Sequence, residues 1–297
     1  MNYNEFQERL KEELQNRVSS DISLCPVTST KNNHTLKDGF QLQNDTSNVG
    51  IILYLDDWYS AFLEGTTLSD IADKFMEMYQ CATAVTLPDT NILTNYESIR
   101  EKIFYKLINF KENQQELKDI PYIPYLDLAI VFYVLLDCDE NNMKSMQIRS
   151  KHLELWKKEL PDLFSDAKRN TEKFLPAEFL SMSDILKEVS YDVELNSETD
   201  GSALPKMYVL TNAIRQYGAI SFLQEGTLQQ ISEKLQEDFF LLPSSVHEVI
   251  LVKAAGLCAA SLNEMIQDIN ETNVLPEDVL SDHAYFYSCS RKELLCA

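Results

Sequence analysis

Glycine is scarce, with seven residues in a chain of 297. Phosphate-cradling loops need several glycines at fixed spacing, so the glycine-rich nucleotide motifs are excluded, and low-complexity repeats with them. Paired cysteines are lacking too. The six cysteines, at 25, 81, 138, 258, 289 and 296, form no C-x-x-C pair. Free thiols in a reducing cytoplasm are the expectation. Long apolar runs are missing. The longest, Leu128 to Leu136 (LAIVFYVLL), is less than half of the roughly 20 residues that span a bilayer. The opening MNYNEFQERLKEELQNRV has no basic stretch and no apolar core, so no secretory signal is expected.

Basic charge is the largest deficit. Twenty-six Lys and Arg face 47 Asp and Glu, a net charge of −21. Residues 1–150 carry 13 basic and 23 acidic groups, and the remainder 13 and 24, so the acidity is even along the chain. Nucleic-acid backbones and anionic lipid surfaces require clustered Lys and Arg. Neither is an expected partner. A solvated acidic surface, or docking to a basic protein, fits the charge.

What is present is globular: 44% hydrophobic and 10% aromatic residues, enough for one large or two ordinary domains. Phe6, Leu10, Leu14 and Val18 recur at a helical period, which predicts an amphipathic helix over 4–18. ISLCPVTST, KNNH and TLKDGFQLQ predict a hairpin, and VGIILYL a strand ending at Asp56-Asp57. In FLEGTTLSDIADKFMEMY, Thr67 and Asp70 form a capping box, and Leu68, Ile71, Phe75 and Met78 form the buried face. FLQEGTLQQISEKL repeats this pattern, with Thr227 and Gln230 as the box and Leu228, Ile231 and Leu235 as the face. Internal duplication and convergence of two strand–turn–helix junctions both account for it.

Tyr96 to Phe110 reads as helix with a strand-like IFYKLI portion. LAIVFYVLL, DCDENN and MKSMQIR predict a β-hairpin. Helices are expected over 153–160, 161–174, where Pro161 suits a first turn, 183–189 and 257–270. MYVLTN, YGAISFLQ, DFFLL, VHEVILV and DHAYFYS read as strands. The mixture predicts an α+β fold with mixed, largely antiparallel sheets and hairpins flanked by helices. An N-terminal α+β region covers 1–191 and is open to further division near 81–95. Residues 192–206 (DVELNSETDGSALPK) form a polar linker, and 207–297 form a C-terminal α+β region.

Candidate sites are few. DCDENN begins like a calcium loop, but Ile148 stands where a bidentate Glu is required, so a hairpin turn is the reading. Asp56 and Asp57 are weak candidates for a metal ion, and an Asp pair there also serves as strand stop or helix cap. His283, Cys289 and Cys296 meet no zinc spacing. His247 and Glu248, after the turn Pro243-Ser244-Ser245, are not HExxH, because Leu251 replaces the second His. On a strand they would point to opposite faces. His247, Glu248 and Asn212 remain the candidate catalytic residues. No cofactor and no metal are expected.

KMYVLTNAIRQYGAISFLQEGTLQQISEKLQEDFFLLPSSVHEVILV, with KNNHTLKDGF and LINFKENQQELKDIPYIPYLDLAIVFYVLL, resembles an uncharacterised bacterial family, domain of unknown function 5688, found mainly in anaerobic gut bacteria. LPSSVHEVI is its most specific phrase. More distantly, residues 128–174 and the strands around PSSVHEVI are similar to the uncharacterised family of the bacillus protein YtpQ. The resemblance implies a cytoplasmic bacterial protein with one architecture along the chain, and it transfers no catalytic residue. The function expected is binding, to another protein, without chemistry; an immunity or regulatory factor for a basic protein belongs to this class. The rival is a hydrolase or transferase of unfamiliar type whose site gathers His247, Glu248, Asn212 and Asp56-Asp57 in one pocket.

Overall fold

The computed structural model describes residues 1–44, 50–84, 93–138, 143–189 and 206–297. The chain divides into two compact units, 1–90 and 91–297. The fold is α+β, with three antiparallel sheets among the described residues.

In the first unit, α1 (Tyr3–Gln15) buries Phe6, Leu10 and Leu14, and Asn2 and Glu5 close a capping box at its start. β1 (Ile22–Thr30) and β2 (Leu36–Asn44) form the predicted hairpin, and β3 (Ile51–Tyr54) pairs with β2. α2 (Asp56–Leu63) and α3 (Leu68–Ala84) follow. The core gathers Phe6, Leu10, Leu14, Phe40, Leu42, Ile71 and Phe75, each fully buried side chain contributing about 1.5–3 kcal/mol. Thr67 caps α3, accepting the Asp70 N–H, while its hydroxyl donates to the Asp70 carboxylate. Met78, expected on the buried face, is 46% exposed, and Ala72 and Tyr79 are buried beside Ile71 and Phe75 instead.

The second unit opens with α4 (Tyr96–Ile99) and a 3-10 turn, then β4 (Ile103–Asn109). The expected helix over 96–110 thus stops after one turn. IFYKLI, rich in β-branched and aromatic residues, pairs instead with β6 (Leu128–Cys138), Tyr105 opposite Phe132. β5 (Tyr122–Tyr125) and β7 (Met143–Gln147) share the other edge of β6. The β6–β7 hairpin is as predicted, although its turn at 139–142 lies outside the described residues.

α5 (Ser150–Trp156) and α6 (Leu160–Phe174) follow, with Pro161 in the first turn of α6. Next come β8 (Ala177–Ser181), α7 (Met182–Val189), β9 (Met207–Asn212), α8 (Thr227–Leu235), β10 (Phe239–Leu242), β11 (Val249–Lys253), α9 (Ala259–Thr272), β12 (Tyr285–Ser288) and β13 (Glu293–Cys296). The sheet order is β13-β12-β10-β11-β9-β8. β8 and β9 therefore pair across the 192–206 segment, most of which lies outside the described residues. Alternation divides the sheet's faces. Phe239, Leu241, Leu251 and Tyr285 join the main core with Phe132, Leu163 and Phe222. Phe240, Leu242 and Val252 pack under Leu262 and Ile266 of α9.

Three local expectations are corrected. YGAISFLQ is no strand. Residues 218–223 form a buried 3-10 turn, tied back by the Ser221 hydroxyl to the Thr211 carbonyl. Gly226, at φ 78°, is the N-cap of α8, and Thr227 is its first helical residue, so the second capping box does not form. The two strand–turn–helix junctions therefore cap differently. β11 starts at Val249, which leaves His247 and Glu248 before the strand. Among the described residues, no helix is long and apolar enough to cross a membrane.

Candidate functional site

The turn Pro243-Ser244-Ser245 leaves the β10–β11 ladder and binds a distant segment. The Pro243 and Ser244 carbonyls accept the N–H groups of Ser281 and Leu280, and the Val246 N–H donates to the Asp278 carbonyl. Ser245 bridges Val279. The Ser245 hydroxyl accepts the His247 N–H at 3.0 Å, which closes a side-chain turn. These bonds hold 245–247 away from the sheet, so His247 and Glu248 do not alternate across a strand as expected.

His247 is anchored at every polar atom. Its carbonyl accepts the Thr211 hydroxyl at 2.8 Å. Its Nδ1 accepts the Tyr217 N–H at 3.3 Å, and its Nε2 stands 3.3 Å from Asp278 Oδ1. An Nδ1 that accepts a backbone N–H places the proton of the neutral ring on Nε2, the nitrogen that faces Asp278. The Tyr217 ring stacks on the imidazole, with centroids 5.8 Å apart and planes at 8°. Lys106 Nζ lies 4.0 Å from the Tyr217 centroid, a cation–π contact.

Asn212 is fully buried. Its amide donates to the Gln216 carbonyl at 2.9 Å, and its Oδ1 accepts the Ile214 N–H at 3.2 Å. The side chain thus shapes the turn after β9. Asn212, His247 and Glu248 do meet around the end of β9 and the start of β11, but two of the three spend their hydrogen bonds on the fold.

Glu248 differs. Burial pushes its carboxyl above the usual range, and Asp278 adds to this, while His247 and a bond to Ser245 pull the other way. A raised value in the folded state means that folding takes up a proton. Stability then falls as pH rises from the unfolded value near 4.5. Glu248→Gln is therefore expected to melt higher than the parent at neutral pH, with the advantage gone below about pH 4, where both side chains are neutral. Paired thermal melts at the two pH values check it.

Asp56 and Asp57 belong to the other unit and open α2. Acids there favour the helix N-terminus. Among the described residues they join no group of three possible metal ligands. His283, Cys289 and Cys296 do not form one site. The Cys289 thiol donates to the Glu237 carbonyl, while His283 contacts Asp282. Residue types alone singled out His247 and Asn212. Tyr217 and Asp278 were missed, because 30 residues or more separate each from His247 in sequence and only the tertiary fold joins them.

A family model described as a family of unknown function (DUF5688) matches residues 3–289, and the chain belongs to that family. No curated protein and no solved structure matches it.

Proposed function

We propose that this DUF5688 member is a bacterial cytoplasmic protein that acts by binding a basic protein, without chemistry of its own. The observation that supports this reading most is the commitment of His247. A general base needs a free nitrogen within reach of a substrate proton, whereas His247 Nδ1 accepts the Tyr217 N–H and its Nε2 faces Asp278 Oδ1 at 3.3 Å inside the protein. Asn212 is committed in the same way. The net charge of −21, spread along the chain, supplies a field that steers a cationic partner and rejects polyanions. An immunity or regulatory factor fits this chemistry.

The test is affinity capture with the full chain in native extract of its own cells, at low and at high ionic strength. A basic protein retained at low salt and released at high salt is expected. Retention of nothing counts against the reading. A hydrolase or transferase activity abolished by His247→Gln in a folded variant overturns it.

A further inference from the structure

We propose that Asp127, Asp282 and His283 bind one divalent transition-metal ion, zinc(II) in the first instance. The site lies within the 91–297 unit, apart from the His247 cluster, and does not depend on the binding reading above. Asp127 sits in the tight turn between β5 and β6, some 155 residues before its partners. One ligand atom from each of the three residues lies within 4.8 Å of the others. Donors about 2.1 Å from a tetrahedral ion stand roughly 3.4 Å apart. Closing the gap takes a movement of about an ångström, which the half-exposed Asp282 and His283 side chains (55% and 52%) permit.

The less mobile ligand is already held from outside the group. The Ser281 hydroxyl donates to Asp127 Oδ2 at 2.6 Å and the Tyr285 hydroxyl to Oδ1 at 2.5 Å. Each carboxylate oxygen keeps a further lone pair for an ion. Ser281 also accepts the His283 N–H at 3.1 Å, which couples the two sides. Asn109 and Asn270 hold the Leu280 and Ser281 carbonyls, and Asn263 holds the Ala284 N–H. Metal ligands are oriented by such outer partners.

The donor set is also unlike a solvated acidic face. It combines imidazole with two carboxylates, and among the described residues neither acid has a Lys or Arg partner. An imidazole nitrogen beside carboxylate oxygens suits zinc-like ions better than magnesium or calcium.

The test uses the full chain, stripped with a chelator and titrated calorimetrically with zinc(II), then with magnesium. One zinc equivalent, a higher melting temperature and no magnesium binding are expected. His283→Gln and Asp282→Asn, both at the surface, should each weaken zinc at least tenfold while melting like the parent without metal. These variants are preferred to Asp127→Asn, which would also release Tyr285. Absence of stoichiometric binding overturns the site. So does binding that both variants retain and that only cysteine-to-serine changes remove, since that zinc would sit on thiols elsewhere.

Discussion

Gly218→Ala is expected to cost the 91–297 unit about 3 kcal/mol and lower its melting temperature by roughly 6–12 °C. A Cβ at this position would stand 2.1 Å from Thr211 Oγ1, 2.5 Å from the His247 carbonyl oxygen and 2.8 Å from the Asn212 nitrogen. Two of these atoms are backbone and cannot rotate away. The third could turn aside only by giving up the Thr211–His247 hydrogen bond. The cost is steric and not conformational, because Gly218 has no positive φ. The added methyl would force apart β9, the 3-10 turn and the His247 bend, three elements that share one buried point. Differential scanning calorimetry of the full chain checks this. A variant melting within about 2 °C of the parent would show that the junction yields freely and that its packing is not what holds His247.

Gly218 also shows where the sequence is legible and where it is not. Elements that carry their own period were readable. Phe6, Leu10 and Leu14 repeat with a helical spacing and are buried together. LAIVFYVLL and MKSMQIR show strand chemistry, and they pair. The α+β class follows from such segments. Residues 96–110 were harder, because Tyr96 to Ile99 does begin a helix and the switch to strand at Ile103 depends on β6, a partner about 25 residues away. YGAISFLQ has strand-like composition, but a strand needs a free edge. Those residues lie instead across the end of β9, held by Ser221. At the candidate site, residue type drew attention to His247 and Asn212, whereas their commitment to the fold is set by Tyr217, Gln216 and Asp278. The Asp127 cluster was invisible for the same reason. His283 read as a lone surface histidine because Asp127 comes from the opposite end of the unit's sequence.

Asp166→Ala should cost about 3 kcal/mol at neutral pH, and the cost should shrink in acid. Asp166 is 5% exposed, on the face of α6 that meets α4 and β4. It accepts the Tyr96 hydroxyl at 2.7 Å, Arg100 Nε at 3.0 Å and an Arg169 nitrogen at 2.7 Å. Asn170, one turn on, donates to the Arg100 and Ile103 carbonyls. Together they fasten α6 to the start of β4. Removing the carboxylate leaves the Tyr96 hydroxyl buried without its acceptor. The two guanidinium groups, 45% and 49% exposed, recover water, so the loss stays below that of a fully buried pair. Burial alone would push the Asp166 carboxyl up, but the bonds from Tyr96, Arg100 and Arg169 outweigh it and hold the carboxyl below its ordinary value of 3.8. A depressed folded value contributes stability that is complete above the unfolded value and lost as pH falls through the folded one. The parent therefore surrenders in acid what the variant lacks at every pH. Denaturant titrations should find the widest gap near neutrality and a narrowing gap below about pH 4. A gap of constant size across that range would mean that Asp166 acts through packing rather than through its charge.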